Sequence, residues 1–415
     1  MSELAKRSGA LQYSFVKHIA CADGPLFLIL SDVDRWPGNL HARLLSSNGA
    51  TELTVAFRDD SRAFIRIAKI AGGVNRISVE HEASASSAGG FDYEIFWFEL
   101  FEMLVARLMP ETVAIADAPG KVNLFFKVGP LNDDGFHDVA SLSLAVDLRE
   151  TVTAQISTDY SVKVTGSLGD FQLLAVPTDE SNLVVKVAGR IKAEAGTPEA
   201  IKVAIGIDKH VPVAGGMGGG SADAAAALVA VNALLHAELP AERLHEIAAT
   251  LGSDVPFALA GGAAIGVGKG DVLTPVDSVA PIHLVLIFDD QGLSTPAVYR
   301  RLDEIRAARD ETTDAPEINR HIIRALQNGN PFEIAELLHN DLEEAAISLR
   351  PDLKIKMTTA LQHGAIRVMV SGSGPTILAL AASEVAAMQI ARSLNELGYN
   401  AIATSGPAIG TQLVD

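Results

Sequence analysis

The sequence has one cysteine, Cys21, in 415 residues. No disulfide framework can hold such a chain, and a reducing cytoplasm is its expected setting. Basic residues are also scarce: 33 Lys and Arg stand against 51 Asp and Glu, a formal charge of -18. That surplus disfavours nucleic acid or an anionic membrane as a partner, and an anionic ligand is admissible only where local cations and a metal concentrate positive potential. Long apolar runs are missing as well. The stretch from Ala224 to Leu235 is too short to span a bilayer and contains Asn232, and the opening Met1-Ser-Glu-Leu-Ala-Lys-Arg lacks the apolar centre of a signal peptide. A soluble monomer or homodimer is expected. Aromatic residues are few and unevenly placed, since Trp36, Trp97 and eight of the fifteen phenylalanines precede Pro110. That shift marks a separate N-terminal unit.

Within residues 1–110, Thr51 to Phe57, Arg62 to Ile70 and Asn75 to His81 read as strands, Ser46-Ser-Asn-Gly49 as a turn, and Phe91 to Leu108 as an amphipathic helix. A short helix is expected around Pro25 to Asp34. The stripe Phe96, Trp97, Phe101 and Leu104 reads as packed core, while His81 and Glu82 read as surface strand residues. From Val113 onward short strands alternate with alanine-rich helices, and a break near Pro275 to Pro281 divides this part into lobes, 111–276 and 277–415.

What the chain does have is glycine in one place. Gly215, Gly216, Gly218, Gly219 and Gly220 surround Met217 and run into an alanine-rich helix expected from Ser221 to Leu235. Glycines let backbone N–H groups turn inward, and a helix N-terminus aims its unpaired N–H groups at the same point, so the segment suits phosphate. A plain connector would not need the apolar approach Val211 to Val213. Ser221 offers an N-cap or a metal-ligand hydroxyl, and Asp223 a first-turn carboxylate. No lysine follows the last glycine and no GxGxxG register can be drawn, which excludes a Walker loop and a dinucleotide fold. The positive charge must come from elsewhere.

Four further segments carry chemistry. Lys121 and Asn123 lie two apart on a strand and so share a face. Phe136 and His137 follow the turn Asn132-Asp-Asp-Gly135 and offer a flat ring beside an imidazole, or a core ring beside an exposed histidine. Asp254, in Gly252-Ser-Asp-Val-Pro-Phe257, is either a helix N-cap or a carboxylate base. Val370-Ser-Gly-Ser-Gly-Pro-Thr376 is either a tight hairpin or a backbone lid over phosphates.

In this order, Ala118-Pro-Gly-Lys-Val-Asn-Leu, Asp134-Gly-Phe-His, Lys209-His-Val-Pro-Val-Ala-Gly-Gly-Met-Gly-Gly-Gly-Ser-Ala-Asp-Ala-Ala, Gly252-Ser-Asp-Val-Pro-Phe and Ser371-Gly-Ser-Gly-Pro-Thr resemble the GHMP kinase superfamily. Within it they resemble the branch that phosphorylates the 2-hydroxyl of 4-diphosphocytidyl-2-C-methyl-D-erythritol in the non-mevalonate isoprenoid pathway. The resemblance covers residues 111–415. Met217 and Ala222 stand where leucine and serine are more usual. It implies an α+β fold of two lobes, an N-lobe like the second domain of a small-subunit ribosomal protein and a ferredoxin-like C-lobe. The β-rich N-terminal unit is similar to helix-grip domains. The resemblance also implies ATP on Pro212, Ala214, Gly215, Gly216, Met217, Gly218, Gly219, Gly220 and Ser221, with Mg²⁺ at Ser221 and the nucleoside end held by Ser181, Asn182 and Leu183. Lys209 would face the nucleotide. Asp254 would act as the base beside Lys121. Phe136 and Tyr299 would sandwich cytosine, His137 and Asn123 would supply hydrogen bonds, and Thr295, Gly372, Ser373 and Gly374 would line the substrate. Homoserine, mevalonate-type and sugar kinases share the glycine loop, and an apolar-ligand carrier with a vestigial kinase lobe is the alternative from another class.

Overall fold

The computed structural model describes residues 10–20, 30–31, 33, 36, 42–48, 51–58, 60–69, 74–84, 93–108 and, from 113 to 414, all but 158–159, 198–200, 278 and 290. Two compact units make up the chain: Met1–Val113 with Ile191–Lys202 and Ala233–Ala237, and the remainder, Ala114–Arg190, Val203–Asn232 and Glu238–Asp415. No described helix is long and apolar enough to cross a membrane.

In the first unit β1 (Ala10–Ala20), β2 (Arg43–Asn48), β3 (Glu52–Ala56), β4 (Arg62–Lys69) and β5 (Val74–Ser84) form an antiparallel sheet in the order β1-β5-β4-β3-β2, and α1 spans Tyr93–Leu108. The two-residue period sends Ala63, Ile65 and Ile67 inward with Ile77 and Val79, to meet Phe96, Trp97, Leu100 and Phe101 of α1. The same period overturns the surface reading of His81. Counting on from Ile77 and Val79, His81 faces the core and is fully buried, whereas Glu82 is exposed. Trp97 Nε1 donates to His81 Nδ1 at 3.0 Å, so the ring's proton sits on Nε2 and is shared with Ser61 Oγ at 2.9 Å. The side chain of Leu104 and most of the helix expected at Pro25 to Asp34 lie outside the described residues.

The second unit opens with β6 (Val113–Leu131), β7 (His137–Ser157), β8 (Ser161–Gly166), α2 (Asp170–Leu174), α3 (Leu183–Glu194), β9 (Lys202–Lys209), α4 (Gly219–Leu234), α5 (Ala241–Leu251), α6 (Val255–Ala260), β10 (Ala263–Val267) and β11 (Val272–Pro275). It continues with β12 (Ile282–Phe288), α7 (Thr295–Ala308), α8 (Arg320–Asn328), α9 (Pro331–Leu337), β13 (His339–Asn340), α10 (Glu343–Leu349), α11 (Asp352–Gln362), β14 (Arg367–Val370), β15 (Ile377–Leu380), α12 (Glu384–Glu396), β16 (Asn400–Gly406) and β17 (Gln412–Val414). One sheet runs β11-β10-β7-β6-β13, with β17 also on β6 and β8 reached through β9 from β7; the other runs β14-β15-β12-β16. β12 is apolar apart from His283 because both its faces are covered. Leu284 and Leu286 join Val122, Leu124, Leu142 and Leu144 of the first sheet, while Val285 and Ile287 pack with Leu353, Ile390 and Leu394 of the outer helices.

Two expectations need correction. Pro119-Gly120 in the sequence predicts a turn between two short strands, Ala114 to Ala118 and Val122 to Val128, whereas one strand, β6, passes through both residues without a turn. Proline's fixed φ suits an extended chain, and Gly120 admits the close approach of Leu148 O, 3.2 Å from where a Cβ would stand. The helix expected to begin at Ser221 begins at Gly219, so Ser221 lies in its first turn and is not the N-cap. Helix α4 is buried nearly all round, with Ala222 and Ala224 to Leu228 inaccessible, which explains its alanine content.

Candidate active site

The glycine run forms a wall. A cavity of about 410 Å³ is lined by every residue from Pro212 to Ser221 and, opposite, by Ala175, Val176, Pro177, Ser181, Asn182 and Leu183. The first residues of α4 stand in that wall, so its unpaired N–H groups and the positive end of its dipole serve the same space. The opposite side is held by local bonds. Asp179 Oδ1 accepts from Ser181 N and Oγ at 2.9 and 2.6 Å, and Asn182 donates to Pro177 O while accepting from Val184 N, so it caps α3 as well as lining the cavity. Gln172 Oε1 accepts from Val213 N and ties α2 to the loop, a contact that no sequence pattern announces.

Lys209 lines this cavity, as expected of a residue facing the nucleotide side, and its ammonium is also held by two carboxylates. It lies 2.6 Å from Glu150 Oε1 and 2.9 Å from Asp223 Oδ2, with all three side chains buried. Sequence reasoning missed Glu150, which sits far away in the chain within a run of charged residues. Burial pushes the Glu150 carboxyl up to about 8, outweighing the pull of Lys209, and burial raises Asp223 as well. A carboxyl whose folded value lies above its unfolded 4.5 contributes stability below 4.5 that is lost as pH rises toward about 8. Thermal melts should therefore show Tm declining from pH 5 to 8, and Glu150→Gln should flatten that slope; an unchanged slope counts against the assignment.

A second cavity, of about 260 Å³, is lined by Lys121, Asn123, Ser253, Asp254, Lys269, Thr295, Tyr299, Gly372 and Ser373 among others. Gly216 and Gly218 line both cavities, so only the glycine loop separates them. The cations that the loop lacks are brought by other segments. Lys121 Nζ donates to Asn123 Oδ1 at 2.9 Å and stands 3.7 Å from Asp254 Oδ2, and its backbone N–H donates to Met217 O. Asp254 occupies the N-cap position of α6, yet its side chain makes no capping bond. The structural role open to it in the sequence is thus unused, and its carboxylate faces Lys121. Gly218 has φ +70, and a Cβ there would meet Lys121 Cγ at 3.3 Å, so the loop lies directly against this pair.

The second glycine-rich turn belongs to the same site. Asn123 N donates to Ser371 Oγ, Asn123 Nδ2 donates to Ser143 Oγ, and Ser373 Oγ lies 2.9 Å from Thr295 Oγ1. Gly374 sits behind this wall, where a Cβ would strike Val370, and does not line the cavity. His137 is buried, its Nδ1 at Gly129 O and its Nε2 3.3 Å from Asp303, and its ring packs on Tyr299 at 5.3 Å. Phe136 is 57% exposed, with Lys269 Nζ 4.1 Å from its ring centre and also paired to Asp134. Lys269, in Gly268-Lys-Gly270, is a cation of the second cavity that the sequence reading passed over. Burial raises the Tyr299 phenol to about 12, so it stays protonated.

Known proteins are similar to this chain in sequence and fold. Residues 182–262 match the GHMP kinases N terminal domain and residues 322–400 the GHMP kinases C terminal domain, which together contain the loop, Asp254 and the second glycine turn. The 4-diphosphocytidyl-2-C-methyl-D-erythritol kinase of Paenarthrobacter aurescens is 43% identical over 312 residues, 74% of this chain and 98% of the relative. That of Mycolicibacterium smegmatis is 44% identical over 303 residues, 71% of this chain and 91% of the relative. The chain belongs to the 4-diphosphocytidyl-2-C-methyl-D-erythritol kinase family. The crystal structure of a 4-(cytidine 5'-diphospho)-2C-methyl-D-erythritol kinase superposes on this GHMP kinase with a TM-score of 0.57 at 30% identity, covering 71% of this chain and all of that one. Homoserine kinase from Cytophaga hutchinsonii, at 20% identity and TM-score 0.55, shares the fold. The chain is an ATP-dependent small-molecule kinase with the two-lobed GHMP architecture and an additional β-rich N-terminal unit.

Proposed function

We propose that this kinase transfers the γ-phosphoryl group of ATP to the 2-hydroxyl of 4-diphosphocytidyl-2-C-methyl-D-erythritol. The observation that carries the reading is the pair of cavities sharing Gly216 and Gly218, with Lys121 and Asp254 on the acceptor side. ATP lies along Pro212 to Ser221 with its nucleoside end at Ser181 to Leu183. The acceptor hydroxyl approaches from the Lys121 side, Asp254 takes its proton, and the new O–P bond forms as the bond to the ADP oxygen breaks. Lys121 keeps Asp254 ionised and offsets charge on the transferred group.

Phosphoryl transfer of this kind uses Mg²⁺, and the residues present fit it. Ser221 lines the nucleotide cavity, and Asp223 in the same wall keeps one buried oxygen, Oδ1, without a hydrogen-bond partner. No trio of acidic or histidine ligands gathers among the described residues, which suits an ion held mainly by phosphates and water. Ser221 would hold it, and the ion would neutralise phosphate charge.

At the other end, Phe136 and Tyr299 flank the cytosine, with Lys269, His137 and Asn123 around it. Phe136→Ala should raise KM for the cytidylyl substrate about tenfold or more, the worth of one stacked base, and leave KM for ATP within twofold. Equal shifts for both substrates would make the ring a packing element. The reading as a whole is tested by ATP consumption over a panel of alcohols. Turnover with the cytidylyl methylerythritol and none with homoserine or mevalonate is expected, and the reverse preference overturns it.

A further inference from the structure

The phosphate loop is braced by a buried trio of side chains, Glu150, Lys209 and Asp223. Glu150, at the carboxyl-terminal part of β7, is fully buried and lines neither cavity. Its Oε2 accepts from His210 N at 2.8 Å and its Oε1 from Val211 N at 3.2 Å, the two residues that lead into the loop. Oε1 also lies 2.6 Å from Lys209 Nζ, and Lys209 reaches on to Asp223 of α4. Three elements, β7, β9 and α4, therefore converge on one ammonium. Gly219, the first residue of α4, packs so close that a Cβ there would stand 3.1 Å from both Glu150 Oε1 and Lys209 Nζ.

We propose that Glu150 is a positioning residue for phosphoryl transfer, fixing through Lys209 the place at which the N-terminus of α4 presents its N–H groups to the transferred phosphate. The proposal rests on the kinase reading above and deepens it. Burying two carboxylates and one lysine gains little stability, since well-packed apolar side chains of the same volume commonly do as well. What the trio supplies is direction: Lys209 meets its two partners in fixed geometry, and Glu150 spans from the lysine to the backbone of the loop entrance. Phosphoryl transfer depends chiefly on such placement, and a displacement of about 1 Å can cost about a hundredfold in rate. Lys209, on this account, bridges the loop's foundations and is not a phosphate ligand.

Glu150→Gln keeps the volume, removes one acceptor oxygen and turns an NH₂ group toward existing donors. Expected are a kcat about tenfold lower, a calorimetric Kd for ATP alone raised severalfold, and a KM for the alcohol acceptor within twofold of wild type. Asp223→Asn, which leaves the Glu150–Lys209 pair in place, should likewise raise the Kd for ATP when it is read without Mg²⁺, so that a metal contact of Asp223 does not enter, and it serves if the Gln variant does not fold. Wild-type kcat and ATP affinity at 25 °C, with only Tm lowered, would mean that the trio merely stabilises the fold. Tighter ATP binding in Asp223→Asn would mean that the released lysine is a phosphate ligand, and either result overturns the proposal. Because ATP affinity is read without acceptor, an error in the acceptor's identity leaves this test standing.

Discussion

Asp254→Ala is expected to lower turnover about a thousandfold while ATP still binds. A positioned base in a transfer reaction is worth about 10² to 10⁴ in rate, and Asp254 is the carboxylate lining the acceptor cavity within 4 Å of Lys121. Its removal should lower kcat about a thousandfold and change the ATP affinity less than threefold, because Asp254 lines only the acceptor cavity. Stability should scarcely fall, since the side chain caps nothing. The measurement is a steady-state assay beside ATP calorimetry on the same sample. Wild-type-like kcat would remove Asp254 from the chemistry, and a parallel collapse of ATP binding would place it in the nucleotide site.

Gly216→Ala is expected to damage both substrate sites together. The residue adopts φ +76, and a Cβ there would lie 2.7 Å from Ser371 O and 3.3 Å from Gly374 N, both backbone atoms of the second glycine turn. A left-handed alanine costs about 1–2 kcal/mol, and the clash must displace one loop from the other. We expect Tm to fall by several degrees, and kcat/KM to fall about a hundredfold for ATP and for the acceptor alike, because Gly216 borders both cavities. Gly189→Ala is the control: the residue is helical and exposed in α3, lines neither cavity, a Cβ there meets nothing within 4 Å, and activity should persist. Equal effects of the two substitutions would separate the loss from loop contact.

Much of the site could be read from the residues, because it lies in short segments with unusual content. The glycine run, the Gly-Ser-Asp-Val-Pro turn and the second glycine turn all violate the ordinary grammar of helices and strands, and such violations gather where backbone must approach a ligand. Ordinary-looking residues escaped. Glu150 sits in Asp147-Leu-Arg-Glu150, which reads as a solvated edge, and only the pairing of distant strands carries it beneath the loop. Lys269 lies in a glycine turn like many surface lysines, and only the fold sets it over Phe136. His81 was misread for another reason: its polarity outweighed its register, although the period that buries Val79 buries it as well. Strand lengths erred at Pro119-Gly120, where turn chemistry was overridden by neighbours on both sides of β6.

Strand β6 bears a consequence for how the site is held together. It carries Lys121 and Asn123, and it is bordered by β13, paired at Phe125 and Phe126, and by β17, paired from Ile115 to Asp117, both drawn from the far half of the sequence. Asn340 of β13 further donates to Val370 O and Gly372 O of the second glycine turn. A hinge opening between the halves would have to break these pairings and the Asn340 hydrogen bonds. Lys121 and Asn123 are thereby held on a strand tied to segments from both halves of the sequence.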